Sequence, residues 1–387
     1  MEGKSRRGGE WCAWATSGSR SFWESWAVSE MVNQTTLFMF RFSPLLLICL
    51  FSCCAQAVEL PSVFTDNMVL QRGQEVKVWG TSGSDKVKVQ FGKQSVVTEV
   101  EDGKWQVELK AMRANKKGQD LVVQDREEAV RITNVLVGDV YFCAGQSNME
   151  MPVTHSKDCE ALVKKSANEQ IRICSSIQGL SPAPLDDFPK GLNGWRVASP
   201  EALATTGVLK KRGFSGTAYS FAYHLNKKTG VPVGVIVSAW GGVSIHAFSD
   251  QKAISQYASP VRGTGKHAPS ALYNALVHPV TRFNIAGWVW YQGENDVKVS
   301  DYAERQKLLV QSWRDAWGDA YKPFYMVQIC PFRYKGVEIE GFWKQQLAVP
   351  EQLDGVYIAR TEDIGNLKDI HPHNKLEVGK RLADLVQ

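Results

Sequence analysis

The sequence predicts an α/β domain, with a mostly parallel sheet and helices on both faces, preceded by a small all-β sandwich. Three observations carry this. Residues 58–135 alternate in short runs broken by turn residues. From 136 to 387, continuous apolar runs alternate with amphipathic stretches. Polar or glycine-rich segments follow those apolar runs directly, as loops do at the carboxyl edge of a parallel sheet.

The alternating part comes first. Residues 76–79, 87–91, 105–109 and 120–123 read as strands, separated by turns such as Gly80-Thr81-Ser82-Gly83 and Asp102-Gly103-Lys104. Short strands at near-regular spacing make a small sandwich. Apolar runs at 140–144, 171–174, 233–237, 285–290, 324–329 and 356–359 then fit strands buried on both faces. Between them, 217–228 and 302–317 read as helices, the second gathering Leu308, Leu309, Trp313 and Trp317 on one side. An amphipathic helix at 374–386 closes the chain. The alternation gives a doubly wound α/β domain. The stretch 175–212 is long and rich in Pro and Gly, a kind of loop that often shapes a site.

The 387 residues suffice for more than one domain. With 44% apolar and 22% charged residues the chain is not a disordered one. Its net charge of +5 is not gathered into a basic block, which argues against a nucleic-acid partner. The 13 Trp and 11 Tyr serve either sugar stacking or, more commonly, a core.

Residues 1–57 read as leader and signal peptide. Arg41 precedes the apolar run 44–51, and Ala55-Gln56-Ala57 is an A-x-A cleavage site. Met31 is an alternative true start, because the residues before it lack periodicity. The apolar run is shorter than the ~20 residues of a membrane span. Export to the periplasm or the extracellular space is therefore expected. Leu50-Phe51-Ser52-Cys53 also resembles a lipoprotein box, which would make Cys53 a lipid anchor. Cleavage after Ala57 leaves Cys143, Cys159, Cys174 and Cys330; export permits disulfides among them, in any of three pairings.

Candidate chemistry sits in the loops. Gly145-Gln146-Ser147-Asn148-Met149 follows the 140–144 strand. Serine there, beside a glycine that permits a sharp turn, exposes its hydroxyl and offers its N–H to an oxyanion. The alternative is that Ser147 only caps a helix. A serine nucleophile needs a base, usually histidine. Of the seven histidines, His371 in Asp369-Ile370-His371-Pro372 has the best context: a loop after the last strand that reaches the edge where Ser147 stands. Asp369 is close enough to reach its Nδ1. His278 is a rival, more naturally a structural histidine, and His373 falls on a helix start. Trp240-Gly241-Gly242 and Tyr291-Gln292-Gly293-Glu294-Asn295-Asp296 follow two other strands and belong at the same edge. Adjacent glycines let N–H groups approach a ligand, and a side-chain amide can complete an oxyanion hole.

Together these motifs resemble the SGNH hydrolase superfamily, and more closely its sialate O-acetylesterase-like and acetylxylan-esterase-like branch. The resemblance runs from about residue 58 to the end and rests on Gly-Gln-Ser-Asn-Met at 145–149, Trp-Gly-Gly at 240–242, Trp-Tyr-Gln-Gly-Glu at 290–294 and Asp-Ile-His-Pro at 369–372. The stretch 64–72 and Val137-Gly138-Asp139-Val140 are also similar. The resemblance implies a flavodoxin-like SGNH domain over 136–387 behind the sandwich of 58–135. It implies Ser147 as nucleophile, His371 as base and Asp369 as its orienting acid. It implies an oxyanion hole from the Ser147 N–H, a glycine N–H of Gly241 or Gly242, and the side chain of Gln292 or Asn295, with Gln146 and Glu294 beside it. No metal or organic cofactor is implied. Two departures stand out. Asp369 precedes His371 by two residues where the superfamily has three, and Asn295 stands where the branch usually has serine. The substrate implied is an O-acetylated carbohydrate. Two readings compete: a non-catalytic surface carbohydrate-binding protein, and an esterase acting on non-sugar esters.

Overall fold

Period-two burial builds the first strands. A computed structural model describes residues 57–157, 159–208 and 213–387; the signal-peptide features at Arg41 and 44–51, the Met31 start and Cys53 lie outside them. After β1 (Val69–Gln71) come β2 (Val76–Thr81), β3 (Lys86–Phe91), β4 (Gln94–Glu99), β5 (Lys104–Leu109) and β6 (Asn115–Gln124). β2 pairs with β5, and β3 pairs with β4 and β6, all antiparallel. Val87, Val89 and Phe91 of β3 and Trp105, Val107 and Leu109 of β5 are buried, while residues between them are more exposed.

The next strand joins this β layer to the rest. β7 (Ala129–Gly145) runs for 17 residues. Its first part pairs antiparallel with β6, and its last part lies parallel between two later strands. Burial is intermittent up to Asn134 and continuous from Val135. Val135 to Gly138 still pair with β6 and β1, and from Asp139 β7 enters the central parallel sheet, which is covered on both faces.

The chain continues through α1 (Ser147–Glu150), α2 (Cys159–Lys164), β8 (Asn168–Ser175), β9 (Arg196–Ala198), α3 (Pro200–Thr205), α4 (Gly216–Thr229), β10 (Val233–Ala239) and α5 (Gln251–Ile254). It ends with β11 (Gly287–Tyr291), α6 (Tyr302–Trp317), β12 (Phe324–Val327), α7 (Ile339–Gln352), β13 (Val356–Ala359) and α8 (Lys375–Leu385). The central sheet has the order β13-β12-β11-β7-β10-β8-β9, parallel except for β9 at its edge. On one face Phe142, Trp288 and Trp290 pack with Trp313 of α6; the Trp290 and Trp313 rings meet edge to face at 5.7 Å. On the other, Tyr141, Cys143 and Val289 pack with Phe221 of α4 and Leu382 of α8. This is the expected α/β layering.

Tryptophan serves the core here. Trp79, Trp105, Trp195, Trp288, Trp290 and Trp313 are all buried. The part of the long stretch over 175–208 contains β9 and α3 and docks on the β layer, where Trp195 Nε1 donates to the Val63 carbonyl at 2.9 Å. Cys143, Cys159, Cys174 and Cys330 are all free thiols, so none of the disulfide pairings that export would permit is formed among them. Among the described residues no helix is long and apolar enough to cross a membrane.

One backbone position joins this frame to the site. Gly145, the last residue of β7, has φ +143°, and a Cβ on it would lie 2.1 Å from the Tyr291 carbonyl oxygen. Gly145→Ala therefore has to break the β7–β11 pairing or strain the turn. Unfolding in urea should show a loss of roughly 1–3 kcal/mol or more. An unchanged urea midpoint would contradict the close approach.

Candidate active site

Gly145 is paired with Ala239 of β10 and Tyr291 of β11. The turns that follow these strands therefore emerge side by side. Gln146 is extended, and Ser147 opens α1, so its N–H has no partner within the helix. Gly241 presses against it: a Cβ there would sit 3.4 Å from the Ser147 Cβ and 3.1 Å from Glu150 Oε2. Such a Cβ would ask the Glu150 carboxylate to give by a few tenths of an ångström. Among the described residues, neither the Ser147 nor the Gly241 N–H makes a hydrogen bond, and both belong to the segments flanking the serine hydroxyl. Gly242 follows with φ +71°.

His371 completes the arrangement. Its Nε2 lies 2.8 Å from Ser147 Oγ. The loop carrying it ends where Asn374 caps α8, its side chain accepting from the Glu377 N–H. Asp369 holds this loop differently from the sequence expectation. Its Oδ1 accepts the His371 backbone N–H at 2.8 Å, and its Oδ2 faces His373 Nε2 at 3.3 Å. The expected hydrogen bond to His371 Nδ1 is not formed. With an offset of two residues, the carboxylate turns back onto the backbone. Burial lowers the His371 pKa, as does the Lys375 charge; the Asp369 charge opposes both.

The residues expected at an oxyanion hole divide into two groups. Gly241 and Asn295 stand near the open edge; Asn295 is exposed and its Nδ2 donates to Ser244 Oγ at 2.6 Å. Gln292, Gln146 and Glu294 lie beneath it. The Gln292 amide is buried and engaged by Asp296 Oδ2 at 2.6 Å, the Val243 carbonyl and Gln146 Oε1. It has no donor left for a ligand. Gln146 Oε1 also faces the N–H groups of Gly293 and Asn295, and so joins the turn after β7 to the loop after β11. Asp296 in turn accepts the Ile245 N–H at 2.7 Å, tying in the loop after β10. His278 is structural, its Nδ1 on the Leu185 carbonyl at 2.8 Å.

Two residues missed by sequence reasoning complete the set. Asn148 is fully buried and donates through Nδ2 to Glu294 Oε1 and, at 3.0 Å, to the Ile370 carbonyl. Lys375, also fully buried, donates to Asn148 Oδ1. Burial pulls the Lys375 pKa down to about 8 and raises that of Glu294. The available signal was a lysine in the first turn of α8, where the helix dipole disfavours a cation.

A pocket of about 390 Å³ opens over Ser147 and His371. Met151, Pro152 and Val208 form an apolar wall, and His155 and His373 a polar one. Such a space admits a small acyl group beside the hydroxyl, with the rest of a substrate at the open side. Among the described residues no group of three or more His, Cys, Asp or Glu is arranged to hold a metal ion.

Comparison with known proteins agrees with this geometry. Residues 137–387 match the family model described as carbohydrate esterase, sialic acid-specific acetylesterase. The human sialate O-acetylesterase is 28% identical over 362 residues, spanning 83% of this chain and 69% of the human protein. The mouse sialate O-acetylesterase is 26% identical over 390 residues, spanning 82% and 71%. A carbohydrate acetylesterase from Xanthomonas citri has a crystal structure that matches with TM-score 0.78 and 31% identity, covering 84% of this chain and 74% of that one.

A base role for His371 would set a pH dependence. A base must be neutral, and the pKa of His371 lies below its ordinary 6.5. Acylation of Ser147 by an activated ester should therefore be constant through pH 7 and fall only as the pH drops through that lowered value. A limb above pH 6.5 in kcat/KM would contradict it. Asp369→Asn should lower turnover by about tenfold, well short of the ~10⁴ seen where a carboxylate holds Nδ1.

Proposed function

The chain belongs to the carbohydrate esterase, sialic acid-specific acetylesterase family, and from that premise we propose that it releases acetate from O-acetylated sugars through an acetyl-serine intermediate on Ser147. It is a carboxylic ester hydrolase, and its substrates are O-acetyl esters of carbohydrates. The observation that carries the mechanistic reading is the 2.8 Å contact of His371 Nε2 with Ser147 Oγ, beside the N–H groups of Ser147 and Gly241, which have no partner among the described residues.

In this reading His371 Nε2 takes the Ser147 proton as Oγ attacks the acetyl carbonyl carbon. The carbonyl oxygen becomes an oxyanion facing the N–H groups of Ser147 and Gly241, with the exposed Asn295 amide as the third donor. The carbon–oxygen bond to the sugar breaks, and His371 gives its proton to the leaving oxygen. Water then attacks acetyl-Ser147, His371 takes its proton and returns it to Ser147 Oγ, and acetate leaves. Asp369 steadies the His371 backbone, and its charge favours the transient imidazolium. Gln146, Gln292 and Glu294 hold the loops rather than the substrate.

The names of the human and mouse relatives support sialic acid as the sugar. Residues 41–57, with their apolar run and A-x-A site, support export of the enzyme to meet such glycans. Acetate release from acetylated sialic acids, acetylated xylan and acyl esters of rising chain length tests the substrate. Acetylated sialic acids should turn over fastest. A preference for long acyl chains would overturn the acetyl assignment. Ser147→Ala should remove turnover without unfolding the protein; a folded variant that still turns over would overturn the mechanism.

A further inference from the structure

Beneath the Ser147–His371 contact lies a buried chain of charge and amide that the mechanism above does not use. Asn148 is its centre. Its Oδ1 accepts from the Lys375 ammonium, and its Nδ2 donates to Glu294 Oε1 and to the Ile370 carbonyl at 3.0 Å. The amide orientation is forced, because an ammonium only donates and a carbonyl only accepts. The Asn148 carbonyl is held as well, by Thr217 Oγ1 at 3.1 Å. Asn148 follows the nucleophile in sequence, and Ile370 precedes the base. The 3.0 Å bond between them is therefore a direct tie between the two turns that must meet.

The ends of this chain are held at a cost. Lys375 is fully buried in the first turn of α8, against the helix dipole, with its ammonium 5.1 Å from the centre of the Tyr291 ring. Glu294 is also buried, and its Oε2 has no hydrogen-bond partner among the described residues. A fold that needed only packing here would use apolar residues of similar size. We propose that Lys375, Asn148 and Glu294 are positioning residues that clamp the Ser147 turn to the His371 loop, with the Lys375 ammonium as the fixed charge of the clamp. The inference rests on the assignment of Ser147 as nucleophile and His371 as base.

The clamp has an electrostatic consequence. The titratable or charged groups around Lys375 are Glu294 and Tyr291 from the β11 end, Cys330 after β12, and Asp369, His371 and His373 from its own loop. Glu294 and Asp369 favour its charge, and its charge in turn disfavours a second one on His371. Lys375 thus adds to burial in lowering the His371 pKa, while Asp369 opposes both and limits the penalty on the imidazolium formed in the reaction.

Charge-balanced substitution separates positioning from mere stability. Lys375→Met should lower kcat by about 10²-fold, the scale of a misplacement near 1 Å, with KM changed less than about threefold. Its kcat/KM acid limb should move to higher pH. Glu294→Gln removes a charge that helps keep Lys375 protonated, so it should move that limb to higher pH as well. The double variant Lys375→Met with Glu294→Gln removes both charges, so it should regain the thermal midpoint lost in Lys375→Met but neither kcat nor the original limb. A double variant with wild-type kcat and an unmoved limb overturns the proposal, as does a folded Lys375→Met with unchanged kcat. If Lys375→Met fails to fold, the double variant carries the test. If both fail, an unmoved limb in Glu294→Gln overturns it. Ser147→Ala, run alongside, distinguishes the premise: turnover in that variant sinks the nucleophile assignment, whereas an inactive Ser147→Ala beside an unaffected double variant sinks only the clamp.

Discussion

The parallel pairing of β7 with β10 on one side and β11 on the other determines where Ser147 stands. Gly145 is the last paired residue on both sides, opposite Ala239 and Tyr291. Three turns must therefore leave the sheet at one place. Only glycine fits at 145, where the Tyr291 carbonyl lies too close for a Cβ, and Gly241 allows the next loop to touch the serine. The hydrophobic layers support this indirectly. Trp288, Trp290 and Trp313 on one face and Tyr141, Phe221 and Leu382 on the other hold the strands in register, so that loop chemistry rests on a rigid edge.

A second layer of order lies just below the surface. Gln146, Gln292 and Asp296 lace the three loops together, and Asn148, Glu294 and Lys375 tie in the His371 loop. Buried groups of this kind add little net stability, since desolvation offsets much of their attraction. Removing one partner costs about 3–5 kcal/mol, because it leaves a charge unpaired in the interior. Such a layer makes one arrangement much better than its neighbours, which is what a 2.8 Å contact between residues 147 and 371 requires.

Much of this was legible in the residues. The strands show as apolar runs, and α6 shows at 302–317 because Leu308, Leu309, Trp313 and Trp317 gather on one side. Ser147 and His371 were legible from their place after strands, and the motifs around them named the family. Other features were not. Helix α7 carries Pro350 near its end and a weaker stripe, so no clear signal marked it. Gln292 and Glu294 read as site residues because polar groups in a strand-end loop are ordinarily exposed; here the loop folds them inward. Proximity and the family resemblance both point Asp369 at Nδ1, while its carboxylate turns to the backbone N–H of His371. Lys375 shows in the sequence only as a lysine at an unfavourable helix start; its burial depends on Glu294, a partner far away in sequence that only the fold brings near.

The central claim is that Ser147 is the activated nucleophile. Its most direct test is reaction with a serine-reactive fluorophosphonate, peptide mapping of the adduct and parallel measurement of residual acetate release. The account predicts one adduct, on Ser147, with activity lost in proportion to labelling and labelling suppressed in His371→Ala. Activity that survives complete modification of Ser147, or an adduct on another serine that tracks the loss, would contradict it.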